Sequence, residues 1–323
     1  MRKIEPSLYL LEVELPKSPL KSVNCYFILG HKRHLLIDTA FNHETCELSI
    51  LAQLGELGVT IEDTDIFVTH LHVDHSGLIA RLKRPTNEIY ASPQDKALID
   101  GFQQPQRWGW VADNNELMGI PESYKLRIED HVAYRMRPDK IVDITTVSEG
   151  HKLSIGGFEL EVIDLPGHTP GHIGLWESNR GYLFCGDHIL SDISTNTTAW
   201  DLDNDYLTMY RESLLKVRGM PTQKLFTAHR NPPKDTNARI DELLDHQHLR
   251  SRRVLEILGA SPTAMSVFEM ALQMEWSIPV PLLEAHPQQL WFACSETLAH
   301  LQSLWRSSQV TRSSQHGILY YSL

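Results

Sequence analysis

Short apolar runs alternate with turn residues over roughly the first 230 positions, which predicts strands interleaved with helices. The runs CYFILG (25–30) and HLLIDTA (34–40) indicate two strands separated by Gly30. Leucines spaced three or four residues apart follow in 44–58, where Gly58 is the predicted end of a helix. Further strands are expected at 65–69, 88–92, 157–166, 172–178, 181–187 and 224–229. This alternation is typical of an α/β fold built from stacked layers.

The strand pattern weakens between residues 94 and 140, which we interpret as an insert in the first domain. The segment contains helical pieces, several arginines and the aromatic run RWGW, in which Trp108 and Trp110 are predicted to contact a substrate. Long segments of this kind often form lids or binding loops. The alternatives are that the aromatic side chains pack the insert onto the domain or form a contact in a homodimer.

The composition changes near residue 233, so we predict a first domain at 1–232 and a second at 233–323. The second domain begins with a long amphipathic helix, followed by a helix that Ser261 or Thr263 is expected to cap. A third helix and a terminal hairpin complete an order that resembles a winged-helix unit. Its third helix and hairpin carry few basic residues, so packing on the first domain is favoured over DNA recognition.

Charge and composition narrow the function classes. Hydrophobic content of 41% and charged content of 22% are ordinary for a globular protein. The net charge of −11 disfavours a nucleic-acid partner without excluding one, because nucleic-acid binders usually present a basic patch. No signal peptide or membrane-spanning run is evident, so a cytoplasmic location, no membrane partner and a small-molecule substrate are expected.

The strongest chemical signal is the run THLHVDHSG, which follows a predicted buried strand. It places His70, His72, Asp74 and His75 within six residues. Neutral imidazoles and carboxylates are the ligands that zinc, iron and manganese accept. Buried without a cation, such a cluster would leave polar nitrogen atoms without partners. The run therefore predicts part of a metal site.

Three further predicted strands are followed by a histidine or an aspartate. His168 follows the strand of 157–166, Asp187 follows that of 181–187, and His229 follows that of 224–229. Gly186 precedes Asp187 and allows a close backbone approach. These side chains are expected to gather at one edge of a sheet around the histidine loop.

The order of motifs along the chain resembles that of the metallo-β-lactamase superfamily. These motifs are H-x-H-x-D-H, then GHTPGH, then GD after a strand and finally AH after a strand. LLIDTA resembles its first motif, with Asp38 supporting the metal loop. The resemblance implies an αββα sandwich in the first domain. It also implies two divalent cations, zinc first, with iron or manganese as alternatives. One would be held by His70, His72 and His168, the other by Asp74, His75 and His229, with Asp187 bridging them. Asp74 is the expected catalytic residue, which orients a hydroxide shared by the cations or transfers its proton.

Three residues near these motifs need separate interpretation. Arg230 follows His229 where many relatives have glycine, and it is predicted to add positive charge near the substrate. His172, the second histidine of GHTPGH, is interpreted as a residue that supports the ligands or the fold. His188 has no assigned role.

Hydrolysis of an ester, thioester or lactone is the leading hypothesis. Relatives that reduce oxygen or nitric oxide carry glutamate at the position of His72 and need a flavin domain, which the C-terminal sequence does not resemble. A phosphodiesterase acting on single-stranded RNA and a mononuclear-iron sulfur dioxygenase remain alternatives. A non-catalytic binding protein is disfavoured because all seven ligand positions are filled, and β-lactam hydrolysis is disfavoured because the first motif differs.

Overall fold

A computed structural model describes residues 1–323, the whole chain. The β-strands are β1 Arg2–Glu5, β2 Leu8–Glu14, β3 Ser22–Ile28, β4 His34–Ile37, β5 Thr64–Phe67, β6 Ile89–Ala91, β7 Thr145–Thr146, β8 Lys152–Ile155, β9 Phe158–Asp164, β10 Ile173–Glu177, β11 Tyr182–Gly186, β12 Lys224–Thr227, β13 Met265–Ser266, β14 Thr311–Gln315 and β15 Ile318–Ser322. The α-helices are α1 Glu44–Glu56, α2 Val73–Ser76, α3 Ile79–Leu82, α4 Pro93–Gly101, α5 Gly109–Leu117, α6 Val132–Met136, α7 Tyr206–Arg218, α8 Thr236–Ala260, α9 Val267–Gln273 and α10 Pro287–Arg306.

Two sheets carry the first domain. The larger has the order β1-β2-β3-β4-β5-β6-β7, with parallel pairing from β4 onward. The smaller has the order β12-β11-β10-β9-β8, with only β11 and β12 parallel. The strands predicted from the apolar runs are confirmed, and β1 and β2 extend the larger sheet at the N-terminus.

Alternation along the strands separates the first domain into layers. In β2, Leu8 and Leu10 pack in a core shared with Phe158 and Leu160 of the smaller sheet, whereas Tyr9 and Leu11 belong to the core on the opposite face. A third core packs the outer face of the smaller sheet against α7 and the start of α8. Because side chains point alternately to the two faces of a strand, each sheet is covered on both sides. The mixed α/β architecture with two packed sheets agrees with the predicted sandwich.

The C-terminal unit contains α8, α9 and α10 together with a small sheet of order β13-β15-β14. The predicted helices and hairpin are confirmed, while the resemblance to a winged helix remains a prediction. The wing arginine, Arg312, lies 3.5 Å from the centre of the Trp305 ring and donates to Gln302. Most of α10 is buried, so this helix joins the unit to its surroundings instead of presenting a free face. No helix in the protein has the length and apolarity needed to cross a membrane.

The cap of α9 differs from the expectation. The helix begins one turn later than predicted, and Ser266, not Ser261 or Thr263, is its N-cap. Ser266 accepts from the Glu269 backbone N–H, and Glu269 accepts in return from the Ser266 backbone N–H, which forms a capping box. Ser261 and Thr263 lie too early in the chain to cap the helix, because Met265 and Ser266 pair with β15 before the helix starts.

Ser266→Ala should therefore lower the free energy of unfolding by about 1 kcal/mol, as loss of an N-cap does. Thr263→Ala is the matched control, since Thr263 is an exposed residue just before the helix and does not cap it. Urea denaturation followed by circular dichroism gives both values. Equal midpoints for the two variants would contradict the assignment of the cap.

Candidate metal centre

The carboxyl ends of five strands deliver Asp38 and the seven predicted ligand side chains to one edge of the two sheets. β4 and β5 lead into Asp38 and the histidine loop, while β9, β11 and β12 lead into His168, Asp187 and His229. The larger and smaller sheets therefore contribute to the same cluster. Parallel strand ends collect polar loops at one edge because the strands run in the same direction.

The side chains form three groups, and within each group the possible ligand atoms all lie within 4.8 Å of one another. These groups are His70, His72 and His168; His70, His75 and Asp187; and Asp74, His75 and His229. The structure thus brings together all seven predicted side chains. Asp187 is central, because its carboxylate lies 3.4 Å from His229 Nε2, 3.6 Å from His75 Nε2 and 3.9 Å from His168 Nε2.

The converging atoms have no other partner. The Nε2 atoms of His75, His168 and His229 and Oδ1 of Asp187 are buried and form no hydrogen bond. Such orphaned atoms are rare in folded proteins, because an unpaired buried polar group costs free energy. His70 Nε2 and His72 Nδ1 lie 3.1 Å apart, near the ~3.4 Å expected for two nitrogens bound to one tetrahedral zinc ion. The donor set fits divalent cations.

The opposite ring nitrogens are held by the protein. His75 Nδ1 lies 2.9 Å from Asp38 Oδ2, His168 Nδ1 lies 2.6 Å from the Asn196 carbonyl, and His229 Nδ1 lies 2.8 Å from the Ser22 carbonyl. An acceptor at Nδ1 keeps the proton there and leaves Nε2 with a free lone pair. The fold thereby selects the tautomer that binds a cation.

Asp38 organises the start of the histidine loop, as the sequence predicts. Its carboxylate accepts from the Thr69 backbone N–H at 2.7 Å and from the Thr69 hydroxyl at 2.8 Å, in addition to His75. Asp38 has φ of 62°, a conformation that Asp tolerates better than most side chains. This backbone conformation accompanies the contacts of the Asp38 carboxylate with Thr69 and His75.

The charges at the site divide the imidazoles into two classes. Burial and the neighbouring His168 lower the pKa of His72 to about 3. Burial would also lower the pKa of His229, but Asp187 and Asp74 raise it to about 10. Burial would raise the pKa of Asp74, whereas His75 and His229 hold it at about 2. Against the effect of burial, Asp38 and Asp187 also raise the pKa of His75, so in the protein without cations protons on His75 and His229 balance the buried carboxylates.

His172 and His188 lie behind the cluster. His172 stacks on His70 with ring centres 4.9 Å apart, and both ring nitrogens of His172 and of His188 are buried without a hydrogen bond. Burial lowers the pKa of both, that of His188 to about 3. A Cβ atom at Gly186, whose φ is +52°, would lie 2.9 Å from His172 Nε2. Glycine is therefore required there, and the supporting position predicted for His172 agrees with these contacts.

Asp95, at the start of α4, escaped the sequence analysis. Its Oδ2 accepts from the Leu71 N–H at 2.8 Å and the Thr169 hydroxyl at 2.7 Å, while Oδ1 accepts from the Gly171 N–H at 2.8 Å. The residue is 1% exposed, and burial raises its pKa to about 6. One carboxylate thus ties the His70–His75 loop to the loop that carries His168.

Trp200 also escaped prediction. Its indole N–H donates to the His168 carbonyl at 3.1 Å, and its ring centre lies 5.9 Å from that of His72. It belongs to the segment 188–205, here called the bridging loop, which also contains Asn196. A polar loop after Asp187 was the only available signal, and local sequence does not show which of its residues turns toward the histidines.

The insert tryptophans have packing contacts. Trp108 is 3% exposed, donates its indole N–H to the Phe102 carbonyl and stacks on the Phe102 ring. Trp110 contacts His131 and, at 5.2 Å between ring centres, Trp291 of α10. Both side chains thus pack the insert internally and against the C-terminal unit, and their contact with a substrate remains a prediction.

Arg230 forms an ion pair with Asp192 of the bridging loop at 2.6 Å. It also lines a cavity of about 430 Å³ with Asn24 and Arg2, and none of the seven clustered side chains lines that cavity. Its predicted contact with substrate remains a prediction.

Asp95→Ala should weaken metal binding by about 10- to 100-fold, the usual effect of removing a group that orients the ligands. The physical reason is that the N–H groups of Leu71 and Gly171 and the Thr169 hydroxyl lose their buried acceptor. Competition with a chromophoric chelator measures the affinity. Asp100→Ala is the control, because Asp100 lies on the same helix and only pairs with Lys96. Equal affinities in the two variants would remove this role from Asp95.

Metal uptake should strengthen between pH 6 and 8. Because the pKa of His229 is raised to about 10 and that of His75 is raised as well, cations must displace protons from these rings throughout this range. Each displaced proton makes the apparent affinity rise about tenfold per pH unit. His72 adds no such dependence, because its pKa of about 3 leaves it unprotonated. Chelator competition at three pH values, corrected for protonation of the chelator, checks the slope; a flat profile would contradict the charge balance.

Comparisons with known proteins agree with this geometry. Residues 19–229, more than half of the chain, match the model of the metallo-beta-lactamase superfamily, and residues 283–323 match that of the metallo-beta-lactamase-like C-terminal domain. The chain superposes on the crystal structure of a metallo-beta-lactamase family protein from Thermus thermophilus with a TM-score of 0.84, 26% identity and 99% coverage of both chains.

Curated relatives extend the comparison. A probable metallo-hydrolase, YqjP, from Bacillus subtilis is 25% identical over 88% of this chain and 89% of its own length. A hydroxyacylglutathione hydrolase from Rhodospirillum rubrum is 31% identical over 56% of this chain. The chain spans about half of that enzyme, 52% of its length. With two packed sheets, the histidine–aspartate cluster at their edge and a matching family model over most of the first domain, the chain belongs to the metallo-β-lactamase superfamily.

Proposed function

We propose that the chain is a dinuclear metallo-hydrolase that cleaves an ester, thioester or lactone. The observation that carries the proposal is the convergence of seven buried or half-buried side chains, four of which bring a buried polar atom without a hydrogen-bond partner. One cation would be held by His70, His72 and His168. The other would be held by Asp74, His75 and His229. Asp187 lies between the two groups and would bridge them.

Two divalent cations at such a site lower the pKa of water toward ~7 and polarise a substrate carbonyl. The protein's contribution is to hold the ligand side chains in position. Asp38, Asn196 and Ser22 fix the rings of His75, His168 and His229. Ligands held this way need no reorganisation during the reaction.

Asp74 is the proposed catalytic residue. Its Oδ2 lies 3.4 Å from His229 Nε2, and its pKa of about 2 keeps it ionised at neutral pH. A carboxylate at this position can orient the attacking water or transfer its proton, the two roles expected from the sequence.

A thioester is the first choice among the three substrate classes. Two relatives support it, the Rhodospirillum rubrum enzyme and the hydroxyacylglutathione hydrolase GloC from Haemophilus influenzae, which is 33% identical over 43% of this chain. Trp200 offers an aromatic face beside His72 for the acyl or thiol portion. Aromatic walls around a few polar groups are common in small-molecule sites.

Asp74→Asn should lower kcat for a glutathione thioester by about 10²- to 10⁴-fold, the range typical of a lost acid–base or orienting group. His168→Ala should lower both metal content and kcat/KM. His31→Ala, which removes an exposed histidine far along the sequence from the cluster, is the control and should change neither. Steady-state kinetics and elemental analysis of each purified variant provide the measurements.

The same preparation should be offered an acyl-homoserine lactone, nitrocefin, labelled single-stranded RNA and a persulfide. RNA cleavage that His72→Ala abolishes would replace the proposal with a phosphodiesterase. One iron per chain with sulfite produced from the persulfide would replace it with a dioxygenase. About two zinc ions per chain with thioester turnover is the expected result.

A further inference from the structure

A second cavity lies away from the metal centre, where α7 of the first domain meets α8 and α10 of the C-terminal unit. Its volume is about 650 Å³, within the range of small-molecule sites. None of the seven clustered side chains lines it. We call it the arginine groove, because Arg211, Arg252 and Arg306 all line it.

None of the three arginines has a carboxylate within ion-pair distance in the protein. Arg252 forms no ion pair, Arg306 donates only to the Leu202 carbonyl, and Arg211 donates to Ser251 and to the Gln247 carbonyl. Neighbouring arginines are paired: Arg253 with Glu256, and Arg250 with Glu296. The groove thus gathers three guanidinium groups without a carboxylate partner, in a chain that has 41 acids against 30 bases.

The one acid that lines the groove is already engaged. Asp205 is the N-cap of α7, where its carboxylate accepts from the Thr208 backbone N–H at 3.0 Å and the Thr208 hydroxyl at 2.8 Å. The Nε atom of Arg211 is buried and has no hydrogen-bond partner. A buried donor on a cation calls for an acceptor that carries negative charge.

The chemistry of the lining selects the class of that acceptor. Guanidinium groups present forked donors that match the oxygens of a phosphate, and the hydroxyl of Ser303 adds a further donor. Leu255 and Leu304 supply apolar surface for an organic body. The volume exceeds what a free phosphate ion would fill.

We propose that the arginine groove binds a small phosphate monoester of about nucleotide size. The proposal does not depend on the reaction at the metal centre. It concerns the junction between the domains, which neither the family model of residues 19–229 nor that of residues 283–323 covers as a whole.

Isothermal titration of the full-length, metal-loaded protein with AMP tests the proposal, with adenosine as the uncharged counterpart and inorganic phosphate as the free anion. AMP should bind and adenosine should not. In the variant Arg252→Gln/Arg306→Gln, AMP affinity should fall at least about tenfold, because two charge-assisted contacts are lost. Both positions are exposed, so the variant should fold, which circular dichroism verifies.

Arg253→Gln is the matched control, since this neighbouring arginine is exposed and does not line the groove. It should bind AMP as the unaltered protein does. Equal AMP affinity in the double variant would place the phosphate at the metal centre and overturn the proposal. Absence of AMP binding, or binding of inorganic phosphate without AMP, would overturn it as well.

Discussion

The charge balance between two buried carboxylates and the imidazoles around them controls the first domain. Asp74 and Asp187 both lie 3.4 Å from His229 Nε2, and both are almost wholly enclosed. Burying unpaired charge is costly, so these groups are stable only when a cation or a proton lies between them. The raised pKa of His229 and the lowered pKa of Asp74 are two expressions of that requirement. Protons on His75 and His229 meet it in the absence of cations, and divalent cations held by the same atoms would replace them.

The supporting residues act on the ligands through the backbone. Asp38 binds Thr69 and His75, Asp95 binds the loops on either side of the cluster, and Gly186 leaves room for Thr69 and His172 beside its backbone. Each of these contacts joins segments that are distant in sequence. The positions of the imidazoles are therefore set by tertiary packing of two sheets and not by the histidine loop alone.

This explains which features were predictable. The strands, the long helices and the seven clustered side chains follow from local signals, namely apolar alternation and polar residues directly after strands. Asp95 gave no such signal, because it looks like an ordinary residue of a helix N-terminus and its partner Gly171 lies 76 positions away along the chain. Trp200 was missed for the same reason: periodicity does not show which aromatic side chain a loop turns toward the histidines. The cap of α9 was misplaced because pairing of Met265 with Tyr321 lies beyond any local window.

The bridging loop connects parts of the molecule that a domain description separates. Its Asn196 carbonyl orients His168, its Trp200 indole N–H donates to the His168 carbonyl, and its Leu202 carbonyl accepts from Arg306 at the end of α10. A chain shortened before α8 would keep every ligand but would free one end of the segment that aligns them. We expect His168 to be positioned less firmly in such a fragment. Through Arg306, the C-terminal unit would then contribute to the order of the clustered side chains.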